Sequence, residues 1–157
     1  MSSRDNLKIL LTLLSIFSSG HLLASVPGEL QAFEGDGCTF FAEGTSSDPN
    51  LWRHCCDLHD IRYWFGGTKD DELETDQNLK SCVGEVAGTF LATVMYTAIR
   101  AGHYSPIKHK YKWGWGWINR EPWLPLMSSE RSYITKQIDD LSLSLEAREK
   151  LRADYDL

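Results

Sequence analysis

The sequence predicts a small, mostly α-helical fold. Two antiparallel helices linked by a disulfide follow a loop-rich lead-in and precede a C-terminal helical extension. Three observations predict it. Residues 50–64 and 68–83 contain neither proline nor glycine, and Gly66-Gly67 separates them, a break short enough to fold one helix back on the other. The cysteines number four, and three of them, Cys55, Cys56 and Cys82, fall on that helix pair. Beyond Glu130, Ile134, Ile138, Leu141 and Leu145 recur at helical spacing in an otherwise charged tail.

A chain of 157 residues has room for one domain with a modest core. Residues 1–24 read as a signal peptide. Arg4 and Lys8 precede an apolar run from Ile9 to Phe17, and Leu22-Leu23-Ala24-Ser25 offers a small-residue cleavage point. The run is short for a membrane anchor and Ser18-Ser19-Gly20-His21 interrupts it. The expectation is therefore a secreted, periplasmic or extracellular protein. Residues 25–127 would form the folded domain and 128–157 an amphipathic helical tail. The formal net charge of −6 leaves no basic stripe for nucleic acid and argues against strong electrostatic attachment to anionic membranes. In an exported chain, an even number of cysteines implies two disulfides.

In chain order, residues 25–50 are punctuated by Pro27, Gly28, Gly35, Gly37, Gly44 and Pro49 and carry Cys38. They form the lead-in. The first helix is expected from Asp48 or Asn50 to Trp64, ended by Gly66-Gly67. Thr68 or Asp70 then caps a second helix, whose first turn holds Asp70, Asp71 and Glu72 at the positive end of its dipole. It runs to at least Val83. Residues 85–100 present Phe90, Leu91, Val94, Met95 and Ile99 on a broad face, a core helix or the second helix continued past a glycine kink. In the loop-like stretch 104–127, Trp113-Gly114-Trp115-Gly116-Trp117 either packs over the helix pair or anchors at a lipid interface.

The helix pair carries the chemistry. Cys55 and His59 are four residues apart and share a face. Asp76 and Cys82, six apart, lie about 9 Å from each other along the partner axis. Antiparallel packing brings Cys55 to Cys82 and, at the same time, His59 to Asp76. Cys56 points about 100° away from Cys55, which leaves Cys38 as its partner. Asp60 is turned from His59 by the same angle, toward the glycine-punctuated lead-in, where a carboxylate and loop carbonyls suit Ca²⁺. His59 would act as general base on water, with Asp76 on its other ring nitrogen. A metal at Asp60 would polarise a carbonyl.

Cys55-Cys56-x2-His59-Asp60-x2-Tyr63 followed by Asp76-x5-Cys82 resembles the secreted phospholipase A2 superfamily, most of all its compact bacterial members. The resemblance spans residues 35–83. It implies a phospholipase A2-like fold with a calcium-loop lead-in and calcium-dependent hydrolysis of a phospholipid acyl ester at the sn-2 position. His59 would be the catalytic base, Asp76 its partner, Tyr63 a hydrogen-bonding member of that network and Asp60 the calcium carboxylate. Gly37, Thr39 and Phe41 would give backbone carbonyls to the ion, and a phospholipid or membrane surface would be the substrate. Animal members pair a cysteine just before the tyrosine with one just before the second aspartate; Arg62 and Thr75 stand there instead. The usual glycine-rich loop is replaced by Cys38-Thr39-Phe40-Phe41-Ala42-Glu43-Gly44.

Rival readings are a phospholipase fold without catalysis that binds calcium, lipid or protein, and stapled helices with an incidental His-Asp pair. A zinc site from Cys38, Cys55, Cys56 and His59 is the third, though adjacent cysteines on a helix do not easily ligate one tetrahedral ion. His54 reads as a surface or supporting residue, and His103 and His109 as polar loop residues.

Overall fold

The computed structural model describes residues 28–103, 110–155 and 157; the signal-peptide segment and His109 lie outside them. Among the described residues, five helices and one two-stranded ribbon form. In order they are β1 (Glu29–Leu30), α1 (Arg53–Phe65), α2 (Lys69–Ala87), α3 (Thr89–His103), β2 (Trp117–Ile118), α4 (Ser128–Asp140) and α5 (Leu145–Tyr155). β1 and β2 pair antiparallel, Leu30 opposite Trp117. No described helix is long and apolar enough to cross a membrane.

α1 starts later than the sequence suggests because residues 48–52 spend their backbone on turns, Leu51 N–H donating to Asp48 and Arg53 N–H to Asn50. Its end is fixed by the tryptophan loop. A helix leaves its last carbonyls without partners, and here Gly114 N–H donates to Tyr63, Gly116 N–H to Trp64 and the Trp117 indole to Phe65. The approach is close: at Gly66, whose φ is +64°, a Cβ would lie 2.8 Å from the Gly114 Cα. Trp113 and Trp117 are thereby buried, so the Trp-Gly repeat packs on the helix pair.

Thr68 caps α2 through a reciprocal box with Asp71: the Asp71 N–H donates to Thr68 Oγ1 at 3.2 Å, and the Thr68 N–H to Asp71 Oδ2 at 2.6 Å. α2 runs straight through Gly84, where a Cβ would meet only Ala92 at 3.7 Å. It stops at Gly88, φ +87°, so the expected break falls four residues later and α3 is a separate helix.

Two apolar clusters flank α1. One gathers Ile61, Trp64 and Phe65 with Trp117 and with Ile134, Ile138, Leu151 and Tyr155 of the tail. The other gathers Cys38, Trp52, Cys55 and Cys56 with Leu79, Val83, Ala92 and Met95. The tail's apolar stripe thus completes a core. Cys38 bonds to Cys56 and Cys55 to Cys82, giving a small, mostly helical, disulfide-bonded fold.

Candidate functional site

The Cys55–Cys82 bond sets the register of α1 against α2, and one turn further His59 meets Asp76. His59 Nε2 lies 3.0 Å from Asp76 Oδ1. The Tyr63 hydroxyl donates to the same oxygen at 2.8 Å, and its ring stacks on the imidazole at 4.3 Å. Arg100, from α3, donates to Asp76 Oδ2 at 2.8 Å. Asp76 is wholly buried. Burial alone would raise its pKa, but His103, 3.6 Å away, and the hydrogen bonds from His59 and Arg100 prevail and hold the carboxyl well below the usual range. It is a fixed anion. Tyr63 is driven the other way, first by burial and then by the Asp76 charge, and stays a neutral donor.

A second layer lies behind. His103 Nε2 is 3.0 Å from the Tyr63 oxygen, and its Nδ1 is 3.2 Å from Glu72 Oε1. The Trp123 indole holds the other Glu72 oxygen at 2.7 Å. Burial raises the Glu72 pKa against the pull of Trp123 and His103. Sequence reasoning missed Arg100 and Glu72 and read His103 as a loop residue. The available signal was the spacing of Arg100 and His103, three apart at the end of an apolar helix and so on one face.

With Nε2 donating to Asp76, His59 keeps Nδ1 as its basic atom, 4.0 Å from Asp60 Oδ1. Burial disfavours the imidazolium, but the Asp60 and Asp76 carboxylates outweigh it and raise the His59 pKa. Asp60 is itself raised, chiefly by burial, against His59 and with the nearby Asp36 charge adding to the shift. The Asp60 carboxylate, facing the loop, is a hard-oxygen donor of the kind Ca²⁺ takes. The backbone passes close by: a Cβ at Gly35 would sit 3.3 Å from Asp60 Oδ2.

The sequence-predicted loop donors are arranged unevenly. Gly37 gives its amide to Asp60 Oδ2 at 3.0 Å, while its carbonyl accepts from the Thr39 N–H at 3.0 Å. The carbonyls of Thr39 and Phe41 accept no hydrogen bond among the described residues. Between them Phe40, φ +64°, stands fully exposed. Trp52 and Trp64 are core, their indoles donating to Ala42 and Gln31 carbonyls.

A cavity of about 660 Å³ opens beside the dyad, lined by Leu58, His59 and Leu79 of the helix pair and by Leu143, Ala147 and Leu151 of the tail. Another, of about 460 Å³, surrounds Arg120 and Glu130; none of the dyad network lines it. The chemistry therefore selects the first. The His54 imidazole and the two sulfurs of the Cys55–Cys82 disulfide also lie within 4.8 Å of one another. Compared with known proteins, the chain matches no family model, no curated protein and no solved structure.

Proposed function

We propose that this chain is an exported, calcium-dependent phospholipid acyl hydrolase of the secreted phospholipase A2 kind. Its sequence motif suggests that kinship and, with it, sn-2 cleavage at a lipid surface. The observation that carries the reading is a His59–Asp76 pair at 3.0 Å, its carboxylate wholly buried, with Asp60 at the other ring nitrogen and a cavity opening at His59. Water held at Nδ1 loses its proton to His59 as it attacks the ester carbonyl, and His59 returns the proton to the leaving alcohol. Asp76, already anionic, holds the Nε2–H and steadies the imidazolium. Tyr63 and Arg100 fix Asp76 so that the ring cannot turn. Calcium held by Asp60 and loop oxygens would polarise the carbonyl and stabilise the oxyanion.

The test is fatty-acid release from mixed phospholipid vesicles by the mature protein, with Ca²⁺ and with excess EGTA. Chelation should stop release. His59→Gln should lower turnover by roughly 10²–10⁴ while leaving melting temperature and calcium binding nearly unchanged; wild-type activity in that variant rejects the mechanism. Asp60→Asn should lose calcium binding and activity together, and retained calcium affinity rejects Asp60 as the ligand.

The commitment of the Gly37 carbonyl to Thr39 favours a second reading, a calcium- or lipid-binding module without turnover. Stoichiometric calcium binding with no fatty acid released selects it.

A further inference from the structure

We propose that reduction of the Cys55–Cys82 disulfide creates a site for a thiophilic divalent cation of the zinc type, built by Cys55, Cys82 and His54. The exposed His54 imidazole stands over the bond, with Nε2 3.4 Å from Cys55 Sγ and 3.6 Å from Cys82 Sγ. Tetrahedral zinc, with Zn–S near 2.3 Å and Zn–N near 2.0–2.1 Å, has N···S edges of about 3.5–3.6 Å and an S···S edge of about 3.8 Å. Two of the three edges already exist in the oxidised protein. Only the sulfurs must separate, from the roughly 2.0 Å of a covalent bond, and reduction releases them.

His54 takes no part in the His59–Asp76 network, and its ring is exposed. The cavity beside the dyad is lined by His54, Cys55 and Cys82 together with Asp57 and Glu85. That gives a reductant its route in and water the fourth coordination position. Soft sulfur and imidazole donors choose zinc over calcium, so this site and an oxygen site at Asp60 would take different ions.

The reductant is a dithiol. One of its thiolates attacks the half-buried Cys82 Sγ rather than the buried Cys55, forming a mixed disulfide and expelling Cys55 as thiolate. Its second thiol then displaces Cys82, and the dithiol leaves as a disulfide, having given two electrons. Both cysteines bind the cation as thiolates, and their protons pass to solvent. The cation ties α1 to α2 where the disulfide does, so the helix register survives in the reduced chain.

Co²⁺, a spectroscopic stand-in for zinc, is titrated into the full chain carrying Cys38→Ser and Cys56→Ser, so that Cys55 and Cys82 are its only cysteines, before and after dithiol treatment, with excess reductant removed without air. The oxidised protein should show no thiolate-to-cobalt charge-transfer absorption. The reduced protein should show it, saturating at one equivalent and displaced by Zn²⁺. His54→Ala should weaken cobalt affinity on the order of tenfold or more, and Cys55→Ser with Cys82→Ser should abolish the band. An unchanged affinity in His54→Ala, a band persisting without Cys55 and Cys82, or no band in the reduced protein overturns the proposal. Should reduction melt the helices, cobalt must restore the far-ultraviolet helical signal; if it does not, the site does not exist.

Discussion

The α1–α2 pair is fastened at both ends, by opposite means. At one end a disulfide joins Cys55 to Cys82, 27 residues apart. At the other, Tyr155 of α5 reaches both helices: the Arg62 guanidinium of α1 lies over its ring at 5.0 Å, and its hydroxyl is 2.9 Å from Thr75 Oγ1 of α2. Phe65 meets the ring edge-on at 4.7 Å, and Asp154 pairs with Arg62. His59 and Asp76 sit between the two fastenings. The disulfide acts mainly by restricting the unfolded chain, whereas the tyrosine acts only once the tail has folded and buried its ring. Under the proposed kinship, Arg62 and Thr75 stand where animal members carry a cysteine pair. The tail helix then does by packing what those proteins do by a second bond between the same helices.

The sharpest way to break that comparison is Tyr155→Ala. It opens a cavity against Phe65 and leaves the buried Arg62 with less cover, so unfolding in urea should show a loss of about 3–5 kcal/mol. A loss under about 1 kcal/mol, the level of an ordinary surface change, would mean that the tail merely lies on the pair. The disulfide end comes next. Replacing Cys55 and Cys82 together by alanine should cost about 3.5 kcal/mol by loop-closure entropy. Removing Cys38–Cys56, with a separation of 18, should cost about 0.4 kcal/mol less on the same grounds. If the shorter loop proves the costlier, native packing of Cys38 and Cys56 in the second cluster outweighs chain entropy. Under the proposed activity, the Cys55–Cys82 variant should in either case lose more turnover per kcal/mol of stability, because of the two disulfides only that one joins α1 to α2.

How far each end could be read in the sequence follows the same divide. Cys55 and His59, and Asp76 and Cys82, are separated by short, helix-countable intervals, so 3.6-residue periodicity and one antiparallel turn at Gly66-Gly67 bring the four together. The tail's helices were legible from Ile134 and Ile138, but their destination was not. Tyr155 and Thr75 are 80 residues apart, and no local pattern encodes such a contact. Arg100 and His103 were hidden for a related reason. Their partners Asp76 and Tyr63 lie on other helices, and only the turn at Gly88 aims α3 back along α2. The Trp-Gly repeat favoured packing over a lipid interface without deciding it until Gly114 and Gly116 were seen to cap α1; a Cβ at Gly116 would lie 2.7 Å from the Trp64 carbonyl oxygen, and Gly114 supplies a φ of +74°.

Tyr155→Phe separates the tyrosine's packing from its hydroxyl. The ring stays, and Thr75 Oγ1 still donates to the Asp71 carbonyl, so at neutral pH the loss should be only about 1 kcal/mol. Alkali gives the finer readout. Burial raises the Tyr155 pKa to about 12, although Arg62 and Thr75 pull it down. A group raised in the folded state contributes stability that is complete below its unfolded value near 10 and is lost as pH climbs through the folded value. Wild type should therefore shed roughly 2–3 kcal/mol from this side chain between about pH 10 and 12, and the phenylalanine variant should not. Tyr63 is raised as well and remains in both proteins, so their difference isolates Tyr155. If wild type and variant lose stability in parallel across that window, the Tyr155 hydroxyl reaches water and the far end of the pair is held by the ring alone.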